Sequence, residues 1–205
     1  LGLASHQLAR AEVDQAMTNF EKGMALLKDQ APVTQDDQKR CQNLVDVNSW
    51  NFGCTLLKMQ DFSRGWSLYE FGLRTPAEGK QRWQRALRKP FSAQQVPLWR
   101  GEPLSGCRLL LLEEQAIGDA MMFITLVPVL MDEAKSLGLL LNDRLLPIYQ
   151  RSFAHWIDSK RLRLYSYRQM QAGDLCPSDF DFQIPLGSIC QHRFQDIDAY
   201  GTYLP

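Results

Sequence analysis

LLLLEEQAIGDAMMF, residues 109–123, is the stretch on which the fold turns. Its leucines run without polar alternation, the mark of a strand covered on both faces. Two glutamates, a glutamine and a Gly-Asp pair then interrupt the chain before hydrophobicity resumes. From Asp119 to Ser136 the texture is helical and apolar nearly all round, which predicts a buried helix. Pro128 lies inside it, lacks an N–H and crowds the carbonyl four residues back, so a kink is expected there. A strand that passes through a polar turn into a covered helix opens a parallel crossover unit. In parallel sheets, ligands sit at the carboxyl ends of strands, where helix N-termini point.

The turn is therefore the candidate site. The helix after it presents free N–H groups and a partial positive charge, suited to a phosphate or carboxylate. Gly118 lets the backbone turn sharply and approach a ligand. Asp119 can cap the helix or, facing a cleft, act as general base on an acceptor hydroxyl. Glu114 is a second candidate base, and Gln115 can orient a substrate by hydrogen bonds.

Downstream, LGLLLND (137–143), RLRLYSY (161–167) and DFQIPL (181–186) read as three more strands. RLLPIYQRSF reads as a helix with Pro147 in its first turn, and GSICQHRF as a short one. Strand-helix alternation implies an α/β fold with a parallel sheet over residues 99–205.

Upstream, residues 1–98 read as helices followed by a basic linker. LASHQLARAEVDQAMTNFEKGMALLKD carries apolar residues at helical spacing. Pro32 breaks that pattern, and Thr34 or Asp36 can cap the next helix, Gln35 to Met59. Another helix starts near Phe62 with Asp61 as N-cap and stops near Pro76. Ala4, Ala16, Phe20 and Gly23 share the mutual spacing of Gly53, Gly65, Tyr69 and Gly72, so small residues let paired helices approach while an aromatic fills the groove. From Glu78 to Arg100 the chain turns basic, with Trp83 and Trp99 interleaved. That segment is either a phosphate-binding edge or a solvated helix and linker.

Bulk composition narrows the rest. The 205 residues are 45% hydrophobic, enough for a real core, and 23 basic side chains balance 23 acidic ones. Zero formal net charge argues against a general nucleic-acid or anionic-membrane binder. The five cysteines and three histidines show no metal-ligand spacing, so free thiols in a reducing cytoplasm are expected, with no metal and no cofactor. No signal peptide or membrane span is visible.

The stretch PLWRGEPLSGCRLLLLEEQAIGDAMMFITLVPVL resembles bacterial proteins in which tetratricopeptide repeats precede a glycosyltransferase-like domain. Trp99, Gly101, Leu104, Gly106, Glu114, Gln115, Gly118, Asp119 and Pro128 match their pattern. SLYEFGLR resembles the end of the last repeat, and FDFQIPLGSICQHRF with YLP the end of the first half of the transferase domain. The resemblance implies tetratricopeptide-like (TPR) helical hairpins, then the amino-terminal Rossmann-like half of a GT-B glycosyltransferase similar to the heptosyltransferases. It assigns Asp119 as the base on the acceptor side. Ala116 stands where that family has glycine, which narrows the backbone's freedom, and Cys190 where it has proline. A nucleotide sugar is expected only if a second domain is present, so transfer by this half alone is not expected. Two other classes fit: a non-enzymatic module binding a protein or peptide in a repeat groove around Trp50 and Trp66, and a ligand-binding protein using the turn without catalysis. An apolar face left uncovered at the end of the chain favours a homodimer.

Overall fold

The computed structural model describes residues 4, 7, 10, 12–29, 34–73, 85 and 89–194. It is a mixed α/β protein with a four-stranded parallel sheet and, among the described residues, nine α-helices. The chain divides into two compact units, Leu1–Arg85 with Phe194–Thr202 and Ala86–Arg193 with Tyr203–Pro205.

In the first unit the described helices are α1 (Val13–Asp29), α2 (Gln35–Lys58) and α3 (Phe62–Tyr69). Thr34 caps α2 with a complete capping box: its Oγ accepts from the Asp37 N–H at 3.1 Å, and the Asp37 carboxylate accepts from the Thr34 N–H at 3.2 Å. Gln60, at φ 65°, turns the chain, and the Asp61 carboxylate caps α3 through the Arg64 N–H at 3.3 Å. Helix α3 stops at Tyr69 and tightens into a 3-10 turn, Glu70–Leu73, short of the expected end; Pro76 lies outside the described residues. Gly53 and Gly65 make the close approach of α2 and α3. A Cβ on Gly53 would fall 2.8 Å from the Tyr69 nitrogen, and one on Gly65 would fall 2.7 Å from a Leu57 methyl. Phe20 stacks on Phe52 at 4.2 Å between ring centres and joins α1 to α2. Trp66 is buried and packs edge-on against Tyr69, so of the two tryptophans expected to line a groove it is unavailable to a partner. Buried Arg85 is held by Glu70 at 2.6 Å and lies over the Tyr69 ring. The other basic residues of the expected linker up to Arg88 lie outside the described residues.

The second unit carries strands β1 (Arg108–Leu112), β2 (Ser136–Leu141), β3 (Leu162–Ser166) and β4 (Phe182–Pro185), in the order β3-β2-β1-β4, all parallel. Strand β1 sits between β2 and β4, and its four leucines are fully buried, which is why the run shows no alternation. Gly138 of β2 gives room to Phe180, whose ring would be 2.6 Å from an added Cβ. The residues before β1 belong here and not to a linker running to 98. Phe91 and Val96 join the core of one sheet face with Leu110, Leu112, Leu140 and Tyr165. The buried Gln183 amide of β4 donates to the carbonyls of Phe91 and Val96, and the segment at Leu98 bridges β4 in parallel.

The helix expected from Asp119 to Ser136 is two helices, α4 (Ile117–Ile124) and α5 (Val127–Glu133). Pro128 does not kink a continuous helix. It stands in the first turn of α5, where its missing N–H has no intrahelical partner to lose. Nor is α4 covered all round: Met121 and Met122 are exposed. The remaining helices are α6 (Leu146–Ser152), with Pro147 in its first turn, α7 (Ala154–Asp158), α8 (Tyr167–Ala172), unforeseen in the sequence, and α9 (Ile189–Arg193).

Candidate functional site

Strand order reverses at β1: β2 and β3 lie on one side of it and β4 on the other. The crevice beyond the carboxyl ends of β1 and β4 is the topological switch point, the place where open parallel sheets bind ligands. Residues 113–119 leave β1 there, and the 3-10 turn Leu186–Ser188 that follows β4 packs beside α4. Buried Ser188 is a neighbour of the turn that sequence reasoning did not single out.

The sharp turn is made by Gln115, not Gly118. Gln115 has φ 59°, a left-handed conformation uncommon for a residue with a side chain. Ala116 is extended, at φ −108° and ψ 169°, so the glycine expected at that place is not required by the backbone. Gly118 lies in the first turn of α4, is exposed, and has nothing within 4 Å of an added Cβ. Its lack of a side chain leaves open space beside the first turn of α4.

Asp119 is the third residue of α4 and half-buried. One carboxylate oxygen, Oδ2, accepts from the Ala116 N–H at 3.2 Å. Ala116 offers no oxygen in return, so only half of a capping box forms. The first-turn N–H groups have no intrahelical acceptor. Asp119 thus caps the helix with one oxygen, while the other has no partner among the described residues and can accept a proton or hydrogen bond from a ligand hydroxyl. Glu114 is placed differently from the sequence expectation: it is 1% exposed, and its carboxylate accepts from the Gln115 side-chain amide at 3.3 Å. It holds Gln115 from the protein side and does not face the mouth of the turn. Glu113, also buried, directs its carboxylate to the Asn142 N–H, while its own N–H donates to Leu140 O at 3.1 Å. The ends of β1 and β2 are thereby clamped together. An acid closing one apolar strand and an Asn-Asp pair closing the next were the available signal for that clamp.

Gln115 and Asp119 are half-buried and Gly118 is exposed, whereas Glu114 is buried against the Gln115 side-chain amide. Among the described residues, no group of three His, Cys, Asp or Glu side chains converges to hold a metal ion, and no helix is long and apolar enough to cross a membrane. Comparison of the chain with protein-family models, curated proteins and solved structures returned no match.

Proposed function

We propose that this chain is a TPR-containing, glycosyltransferase-like protein and that its α/β unit is the acceptor-side, Rossmann-like half of a GT-B sugar transferase. One observation carries the reading. At the switch point of a parallel sheet, the chain leaves the helix N-terminus uncovered beside a half-free carboxylate. An acceptor sugar placed over Gly118 would be oriented by Gln115 and by the first-turn N–H groups. Its hydroxyl would lie against the spare oxygen of Asp119, which takes the proton as the hydroxyl oxygen bonds to the donor's anomeric carbon and the donor's phosphate leaves with the electron pair of the broken C–O bond. The donor would be held by a second domain.

Acceptor binding by the present chain tests this without turnover. Sugar phosphates and short oligosaccharides titrated by NMR should shift the amides of Ile117, Gly118 and Asp119. Gly118→Ala should fold normally and retain binding, since its Cβ enters open space. Gly118→Leu should fold and lose binding by tenfold or more, about 1.4 kcal/mol. Shifts that survive Gly118→Leu, or none at these amides, would remove the assignment.

A further inference from the structure

The two outer edges of the sheet are finished differently. At β4, Gln183 directs its backbone N–H and C=O away from β1, and an extended segment takes both. The Gln183 N–H donates to Pro97 O at 2.9 Å, and the Trp99 N–H donates to Gln183 O at 3.0 Å. At β3 no described segment does this. The Leu137 N–H of β2 donates to Arg161 O at 2.8 Å, and Leu139 is in register with Leu164. Arg163 and Tyr165 therefore bond toward β2, while Leu162 and Leu164 turn their backbone groups outward. Ser166 faces outward too, but its N–H is taken by Gln169 Oε1 at 2.8 Å. Leu162 is buried, whereas Leu164 is only half-buried. Leu164 is thus the counterpart of Gln183, and neither of its outward groups has a hydrogen-bond partner among the described residues.

A cleft of about 390 Å³ adjoins this edge. Gln150 of α6, Ile157 of α7, Lys160 in the following turn, and Leu162, Arg163 and Leu164 of β3 line it, with no acid among them. Side chains alternate along β3, so Leu162 and Leu164 share one sheet face and Arg163 and Tyr165 the other. Ile157 and Leu164, both half-buried, offer apolar surface. On the opposite face the exposed Arg163 guanidinium lies 4.8 Å over the Tyr165 ring. An occupant that meets both chemistries must present apolar groups to one face and anionic groups to the other. An extended strand does so through its own alternation.

We propose that the outer edge of β3 binds an extended peptide in which apolar and acidic residues alternate. The peptide bridges Leu164 through two backbone hydrogen bonds, as the Leu98 segment bridges Gln183 on the other edge. Its apolar side chains lie with Leu164 and Ile157, and its acidic ones beside Arg163. Main-chain bonds supply the attachment, and the alternating side chains supply selectivity. A second copy of this chain is the poorer occupant. It would bring its own Lys160 and Arg163 to a seam whose lining holds no acid.

The test is an NMR titration of the full chain with acetyl-Glu-Val-Glu-Val-Glu-amide. Saturable shifts centred on Leu164 and Ile157 are expected, with the peptide carrying lysine in place of glutamate binding about tenfold more weakly. Successive amides of a strand point to opposite sides. N-methylation of the valine amides and of the glutamate amides should therefore abolish binding in one peptide and spare it in the other. Leu164→Pro should weaken binding by about tenfold. It removes the outward N–H, while the ladder to β2 runs through Arg163 and Tyr165, so the edge strand tolerates it. Arg163→Glu, at an exposed position, should fold and turn the preference toward the lysine peptide. Equal binding of the two methylated peptides, or a charge preference unmoved by Arg163→Glu, would overturn the proposal. So would shifts at these amides that grow with protein concentration alone, which would make a second copy the occupant. The site uses no residue of the β1–α4 turn, so its failure and that of the acceptor-site reading are separate results.

Discussion

Strands β1 and β3 both run into helices at the carboxyl edge of the sheet, yet the two junctions are finished differently. After β3, Ser166 is extended, at φ −89° and ψ 160°, and its hydroxyl accepts from the Gln169 N–H at 3.0 Å. Gln169 returns the bond to the Ser166 N–H at 2.8 Å, and Ser166 is buried. After β1, Ala116 takes nearly the same backbone conformation, at φ −108° and ψ 169°, with no oxygen to give. The crossover geometry dictates the backbone in both places. The cap side chain decides whether the helix N-terminus is satisfied from within or left for something outside. The difference marks the β3 junction as architecture and the β1 junction as a place where stability was left unused, the pattern expected of a binding site.

The most severe way to break the comparison is to remove the support under the open junction. Glu113→Ala deletes a buried carboxylate and orphans the Asn142 N–H at the ends of β1 and β2. Loss of about 2 kcal/mol is expected, the range for a hydrogen bond to a charged group. Urea denaturation should show a lowered midpoint with an unchanged slope. A loss under about 0.5 kcal/mol would mean that the clamp is idle.

A paired exchange sharpens the comparison at smaller amplitude. Ser166→Ala should cost about 1 kcal/mol, while Ala116→Ser should gain about 0.5–1 kcal/mol by completing the half-built box with Asp119. Opposite signs in thermal or urea unfolding are the expected result. If Ala116→Ser is neutral, the first-turn N–H groups of α4 are already satisfied, and the contrast between the junctions is lost.

Much of this was legible in the sequence because the signals are local. An unbroken leucine run is the pattern of a strand covered on both faces, and β1 lies between two neighbours in a parallel sheet. The polar break after it marked the turn, and Thr34 and Asp61 were readable as caps because side-chain oxygens stand directly before apolar periodicity. Non-local features were hidden. Gln115 carries the left-handed turn although Gly118 is the nearby glycine, because the direction of the crossover sets the backbone and not residue preference. Glu113 and Glu114 look alike in sequence, but Glu113 is turned by Asn142 of the neighbouring strand end, while Glu114 is buried against its neighbour Gln115. Helix α8 is only six residues long, too short for apolar periodicity to declare itself. The split between α4 and α5 was missed since a proline starting a new helix and a proline kinking an old one leave the same residue pattern.

The smallest expected effect comes from the opposite edge of the sheet, where an exposed ion pair joins two strand starts. Arg108 opens β1 and meets Asp181, just before β4, through paired side-chain bonds of 2.9 and 3.1 Å and a backbone N–H bond of 2.8 Å. Hydrogen bonding from Arg108 holds the Asp181 carboxyl below its usual range, and the same contact raises Arg108. In the window just below the ordinary aspartate value of about 4, the unfolded chain binds the proton more readily than the folded one. The contribution is therefore complete above that value and is lost as pH falls through the lower, folded value. The side chains are 37% and 39% exposed, so solvent screens the pair and the effect is modest. Urea midpoints measured between about pH 3 and pH 6 should decline toward acid more steeply in the parent than in Asp181→Asn. Added salt should narrow the gap between the two curves. If the curves run parallel at low salt, the strand starts are held by their backbone ladder alone. The ion pair at the amino edge would then carry no energetic weight.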